Sequence, residues 1–152
     1  MKKLLLILTI VSLITVDAMA QIEYKIITSV ESIVSSGLGR SRLITTDEKR
    51  NYQDFTSSRS EDRKEDKRNK ADRSEIRLKN FDETKLLNFF NIGGIRFQNI
   101  AANDAVVSSK LNSMAEEGWE LAFVTSGVET DSGKGDGQGI FITRYIFKRI
   151  KE

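Results

Sequence analysis

The 152-residue chain contains no cysteine, no histidine and no proline. Without cysteine no disulfide can close a loop, so the fold has to rest on its apolar core. Without histidine or cysteine there is no Ser–His or Cys–His nucleophile pair, no imidazole base and no His/Cys metal site. No serine stands three residues before a lysine, which removes the Ser-x-x-Lys arrangement as well. The lack of proline leaves long strands and helices unobstructed. An excess of one charge is also missing: 24 Lys and Arg face 22 Asp and Glu, a net +2, so no global field draws in nucleic acid. What remains is 39% hydrophobic residues, eight of them Phe, enough for one core.

Lys2 and Lys3 precede an apolar run from Leu4 to Val16, and Ala18-Met19-Ala20 places small residues where a signal peptidase reads them. This pattern predicts a secretory signal over residues 1–20 with cleavage after Ala20. The apolar run is shorter than the roughly 20 residues a membrane span needs. No cysteine follows the cleavage site, so a lipoprotein anchor is excluded. The expectation is a bacterial protein exported to the periplasm or beyond, with a single domain over 21–152. Loss of Lys2, Lys3 and Asp17 leaves a net charge of about +1.

Ile22, Tyr24, Ile26, Thr28, Val30, Ser32 and Val34 alternate with Glu23, Lys25, Ile27, Ser29, Glu31 and Ile33. Period-two alternation with β-branched residues predicts a strand whose first set of side chains forms the apolar face. Ser35 to Gly39 reads as its turn, and Arg40 to Thr46 as the returning strand, anchored by Leu43 and Ile44. Gly37-Leu38-Gly39-Arg40 lacks the full glycine motif and following helix of a phosphate loop.

The stretch 47–79 is largely charged, and Ser57 to Lys70 has no apolar side chain. It cannot bury surface to offset its ordering entropy. Acids and bases at helical spacing, such as Glu61/Lys64, Asp66/Lys70 and Glu75/Lys79, predict a solvated arm, flexible or partly helical. A polyanion-binding arm is the sharper alternative, weakened by the near-equal charges.

Leu86 to Phe97 is the most aromatic stretch, a strand or short helix broken at Gly93-Gly94. It reads as core. Where exposed, Phe89, Phe90 and Phe97 are the candidate protein-binding surface.

Asn103-Asp104 suits a helix start. Val107, Leu111 and Met114, with Ala115 beside them, make one apolar stripe. Gly118 sits where a left-handed cap belongs, so Trp119, the only tryptophan, can fold back over Met114 or Ala115. Trp119, Leu121 and Phe123 are then expected on one strand face. The final strand, Ile140 to Arg149, sets Phe141, Tyr145 and Phe147 against Ile140, Ile142 and Ile146. Apolar residues on both faces predict an internal strand. The linking segment, Ser126 to Gly139, reads as a hairpin loop. Its Glu129, Asp131 and Asp136 offer a cation site only as an alternative, because their spacing matches no calcium loop.

The pattern Leu111-Asn112, Glu117-Gly118-Trp119-Glu120-Leu121 and Tyr145-Ile146-Phe147-Lys148-Arg149 resembles the small bacterial family called domain of unknown function 4177. That family opens with a strand like Glu23-Tyr24-Lys25-Ile26-Ile27. The likeness covers the first strand and the last third of the chain, and the charged insertion departs from it. The family has no assigned activity, so the resemblance implies a fold and no chemistry.

Together these features predict an α+β domain: a mostly antiparallel sheet of four or five strands on the helix 103–117, with Gly118, Trp119, Leu111, Met114, Phe123 and Phe147 as its structural centre. No catalytic, cofactor or metal residue is assigned. The clustered Glu116, Glu117 and Glu120 would serve a hydrolase only across a cleft. The reading is a non-enzymatic binding or accessory module acting on another envelope protein. A small-ligand or cation binder through 126–139 is the alternative.

Overall fold

The structure, a computed structural model, describes residues 21–32, 40–64, 66–129 and 139–151. The expected leader over 1–20, the expected turn over Ser35–Gly39 and the middle of the Ser126–Gly139 segment, with Asp131 and Asp136, lie outside those residues.

The architecture is α+β, as the patterning predicts. Five strands, β1 (Ile22–Ser32), β2 (Arg42–Thr45), β3 (Asp82–Lys85), β6 (Glu120–Glu129) and β7 (Ile140–Ile150), form an antiparallel sheet in the order β3-β2-β1-β7-β6. A two-stranded hairpin, β4 (Phe90–Asn91) and β5 (Gly94–Ile95), stands apart from it. Helix α1 (Arg73–Ile76) is a single turn, and α2 (Phe97–Glu116) runs for 20 residues. β7 lies inside the sheet, paired along its whole length with β1 from Ile22↔Ile150 to Ser32↔Ile140 and on its other side with β6. Its two apolar faces fit that place, since an internal strand of β-branched and aromatic residues loses no backbone bond to water.

The core lies between the sheet and α2. It consists of Ile27, Leu43, Leu86, Met114, Trp119 and Phe147, with Val106, Val107, Leu111 and Tyr145 packed against it. Met114 is completely enclosed, while Ala115, expected beside it, is exposed. Cross-strand pairing explains the cluster: Ser29 pairs with Leu43, and Phe147 pairs with Lys25 on one side and Leu121 on the other.

The helix begins at Phe97, six residues before the expected start. Asn103 does not cap it. The residue is an interior position, buried to 2% exposure, and its amide is spent on other segments. Its Oδ1 accepts from the Leu87 N–H (2.8 Å), and its Nδ2 donates to the Leu87 carbonyl (2.8 Å) and to Glu31 Oε1 (2.9 Å). A short polar side chain favours caps because it competes for backbone groups. Here the backbone it serves is distant in sequence.

Two face assignments also change. The face of β1 turned to the helix carries Ile27 and Ser29, and the more apolar set, Ile22, Tyr24 and Ile26, points the other way. In β6 the register shifts between Leu121 and Phe123, so that Leu121 pairs with Phe147 while Phe123 pairs with Ile146. Ala122 is the extra residue of a bulge, and from there on the strand's alternation is inverted. Phe123 therefore does not share a face with Leu121; it is 61% exposed on the side away from the helix.

The charged insertion is exposed throughout most of its length and forms no long helix. It holds a turn of 3₁₀ helix at Tyr52–Phe55, a bridge between Ser58 and Lys67, and α1. None of the pairs at helical spacing forms a salt bridge among the described residues. Asp66 instead accepts from the Ser60 N–H (2.7 Å) and Glu75 from the Asp72 N–H (2.9 Å). Local turn closure outcompetes i, i+4 pairs worth only about 0.2–0.5 kcal/mol each.

Candidate interaction surfaces

The helix end and the sheet meet at Trp119. Gly118, at φ +81°, reverses the chain; the Gly118 N–H donates to the Ala115 carbonyl (3.0 Å) and the Trp119 N–H to the Met114 carbonyl (2.9 Å). This is the paired-bond stop of a Schellman cap, with the residue after the glycine folding back on the last turn. The indole is 8% exposed and belongs to the Met114–Phe147 cluster. The Arg149 guanidinium lies 4.3 Å from its ring centre and the Lys25 ammonium 5.9 Å, both cation–π distances. Each cation is in turn tied to an acid, Arg149 to Glu23 and Lys25 to Asp47. The hydrogen bond from Arg149 holds the Glu23 carboxyl below its ordinary value, and the hydrogen bond from Lys25 does the same for Asp47. The paired side chains border an open cleft of about 910 Å³ beside the first half of β1, where β2 does not extend. The cations here complete the indole's surroundings and are neutralised, so the arrangement stabilises a junction.

The aromatic stretch departs from its expected burial. Only Leu86 is core; Phe89 is half-buried, while Phe90 is 38% and Phe97 74% exposed. Ile92 (86%) and Ile95 (53%) extend the same apolar knob at the β4–β5 turn. Its stem is tightly specified. The Leu86 N–H bonds to the Ser41 carbonyl (3.1 Å), Asn103 clamps Leu87, and Asn99 Nδ2 donates to the Asn88 carbonyl (2.7 Å). Ser41 Oγ donates to Asn88 Oδ1 (2.8 Å) and accepts from the buried Ser32 N–H (3.0 Å). The Arg96 N–H closes the hairpin onto the Phe89 carbonyl (2.7 Å), and the Phe89 ring packs on Phe141 with centres 5.6 Å apart. Gly94, the residue that follows the Ile92-Gly93 turn, takes a positive φ (+95°), the left-handed position that closes a hairpin loop onto its second strand. Thus α2, β2 and β7 all hold the base of a hairpin whose tip is apolar and exposed. Of the candidate interface residues, Phe90 is exposed on β4 opposite Ile95, Phe97 is exposed at the start of α2, and Phe89 serves as the anchor.

A second apolar surface is the sheet face opposite α2. Ile22, Tyr24, Ile26, Phe123 and Ile150 are each about half to two-thirds exposed on it. Their exposure leaves this side of the sheet open among the described residues. The sheet's edges are the short β3 and the ten-residue β6, which is bent by its bulge, a feature that discourages edge pairing.

The acids of the helix–strand junction do not face one another. Glu120 pairs with Lys148 (3.3 Å) on the open sheet face, and Glu117 accepts from Ser113 Oγ (3.4 Å) at the helix end. Among the described residues no three acids cluster to hold a metal ion, and no helix is long and apolar enough to cross a membrane. Sequence reasoning missed the Asn103 clamp and the open face of β1. The one available signal for the latter was that both alternating sets of β1 contain isoleucine. No family model, no curated protein and no solved structure matches this chain.

Proposed function

We propose that this chain is an exported, non-enzymatic binding or accessory module that acts by protein–protein contact in the bacterial cell envelope. The observation that supports this reading is the β4–β5 hairpin with the start of α2, which expose Ile92, Ile95 and Phe97 above a stem fixed by part-buried hydrogen bonds. Contiguous exposed apolar side chains mark interaction sites more often than they occur by chance. A rigid stem lowers the ordering cost of binding. The resemblance to domain of unknown function 4177 fits the same reading, because it brings a scaffold without a reactive group.

A photo-crosslinking residue at Ile92, introduced into the protein in its native envelope, tests the proposal. One defined adduct is expected, and Phe97→Asp should abolish it while leaving the melting temperature within about 2 °C, as for surface substitutions generally. No adduct from position 92, 95 or 97 would contradict the reading.

A further inference from the structure

Residues directly opposite one another in an antiparallel sheet share a face, so the pairing register defines what the sheet shows on the side away from α2. On β1 this side carries Ile22, Tyr24, Ile26, Thr28 and Val30, with no charge. On β7 it carries Ile150, Lys148, Ile146, Arg144 and Ile142, apolar and cationic in alternation. The bulge at Ala122 adds Phe123 beside Ile146; from β2, Ile44 lies beside Thr28 and Arg42 beside Val30, with Arg42 paired to Glu83 at the flank. An antiparallel sheet that leaves one face to water shows polar residues there. With Ile140, opposite the buried Ser32, this one carries seven isoleucines, a valine, a phenylalanine and a tyrosine, and Ile22, Tyr24, Ile26, Phe123 and Ile150 are its exposed members.

We infer that this face is a self-association surface, covered by the same face of a second copy of this chain. Two observations select that occupant. The first is size. Three strands spaced about 4.8 Å apart and about 35 Å long give roughly 500 Å² in plan. Protruding side chains and the β2 flank bring the accessible area towards the ~800 Å² per partner of a stable interface. The second is charge. A two-fold axis parallel to the strands, above the seam between β1 and β7, lays each uncharged β1 over the partner's charged β7. Lys148 then meets the other copy's Tyr24 face, a cation–π contact, and Arg144 meets Thr28. An axis across the strands would instead set Arg144 against Lys148, cation on cation. The face is therefore self-complementary in one orientation, the aligned packing that twisted sheets adopt. Lys148 keeps its own Glu120 at the rim, which limits the desolvation cost. This surface lies apart from the β4–β5 hairpin, so the hairpin proposal stands or falls separately.

The test is the mass of the full chain, expressed from its own start and purified as the host delivers it, by light scattering over a dilution series. The expected mass is that of two chains, falling to one on dilution. Phe123→Glu and Ile26→Lys, each at an exposed position, should weaken the dimer by at least about tenfold, with circular dichroism unchanged. Phe97→Asp should leave the dimer intact. A one-chain mass at every concentration overturns the inference. So does a dimer that neither face substitution weakens, or a mass accounted for by a different co-purifying protein.

Discussion

The backbone N–H of Trp119 donates to the carbonyl of Met114 across Gly118, and the two side chains are buried in the same cluster. One turn of backbone thus does two things: it stops α2 and delivers the indole to the helix–sheet junction. Replacing Trp119 by Ala removes the largest side chain of the core and strands Arg149 and Lys25 over a void. Loss of about 3–5 kcal/mol is expected, read as a lowered urea midpoint with little change in slope.

Gly118→Ala probes the backbone half of the same junction. A Cβ at Gly118 would meet nothing within 4 Å, so the cost is conformational and comes from φ +81° alone. It should be about 1–2 kcal/mol, and Gly118→Asn should cost less, because Asn tolerates the left-handed region. Equal losses for the two substitutions would mean that packing, not backbone conformation, fixes this glycine.

Asn103→Ala leaves the Leu87 N–H and carbonyl without their partner in a part-buried setting. A cost of about 1–3 kcal/mol is expected, together with faster amide exchange at Leu87. Because Leu87 sits at the base of the β4–β5 hairpin, the same substitution should loosen the apolar knob. Unchanged exchange at residues 87–97 would separate the clamp from the hairpin.

The reach of sequence reasoning follows from where each signal is stored. The Gly118–Trp119 stop and the stripe Val107–Leu111–Met114 were legible because caps and helix stripes are local. β7 was legible as an internal strand because both its faces are apolar. Four features were not legible, because their causes are not local to the sequence that carries them. Asn103 looked like a cap because its true partners, Glu31 and Leu87, lie 72 and 16 residues away. The bulge at Ala122 depends on pairing with β7, and it inverted the expected face of Phe123. In β1, alternation gave two correct sets of residues and could not say which set α2 would cover. The knob at Phe90 and Phe97 read as core because hydrophobicity alone does not distinguish a buried aromatic from a displayed one.

Acid should weaken the junction in a definite direction. The Glu23 and Asp47 carboxyls both titrate below their ordinary values, held there by Arg149 and Lys25. A depressed folded-state value means the contribution is complete above the unfolded values, near pH 4, and is lost as pH falls through the lower folded values. Both pairs reach solvent, so the effect is small and salt-sensitive. The melting temperature should be flat above about pH 5 and decline below about pH 4, and the double substitution Glu23→Gln with Asp47→Asn should reduce that decline. An undiminished decline in the double variant would place the acid sensitivity elsewhere.

The most direct test of the central claim uses the chain's single tryptophan as its own reporter. Fluorescence of the native protein should be blue-shifted from that of indole in water and shielded from acrylamide, and unfolding should remove both properties in one transition. Native emission already at the aqueous position, with free access to the quencher, would contradict an indole enclosed between α2 and the sheet.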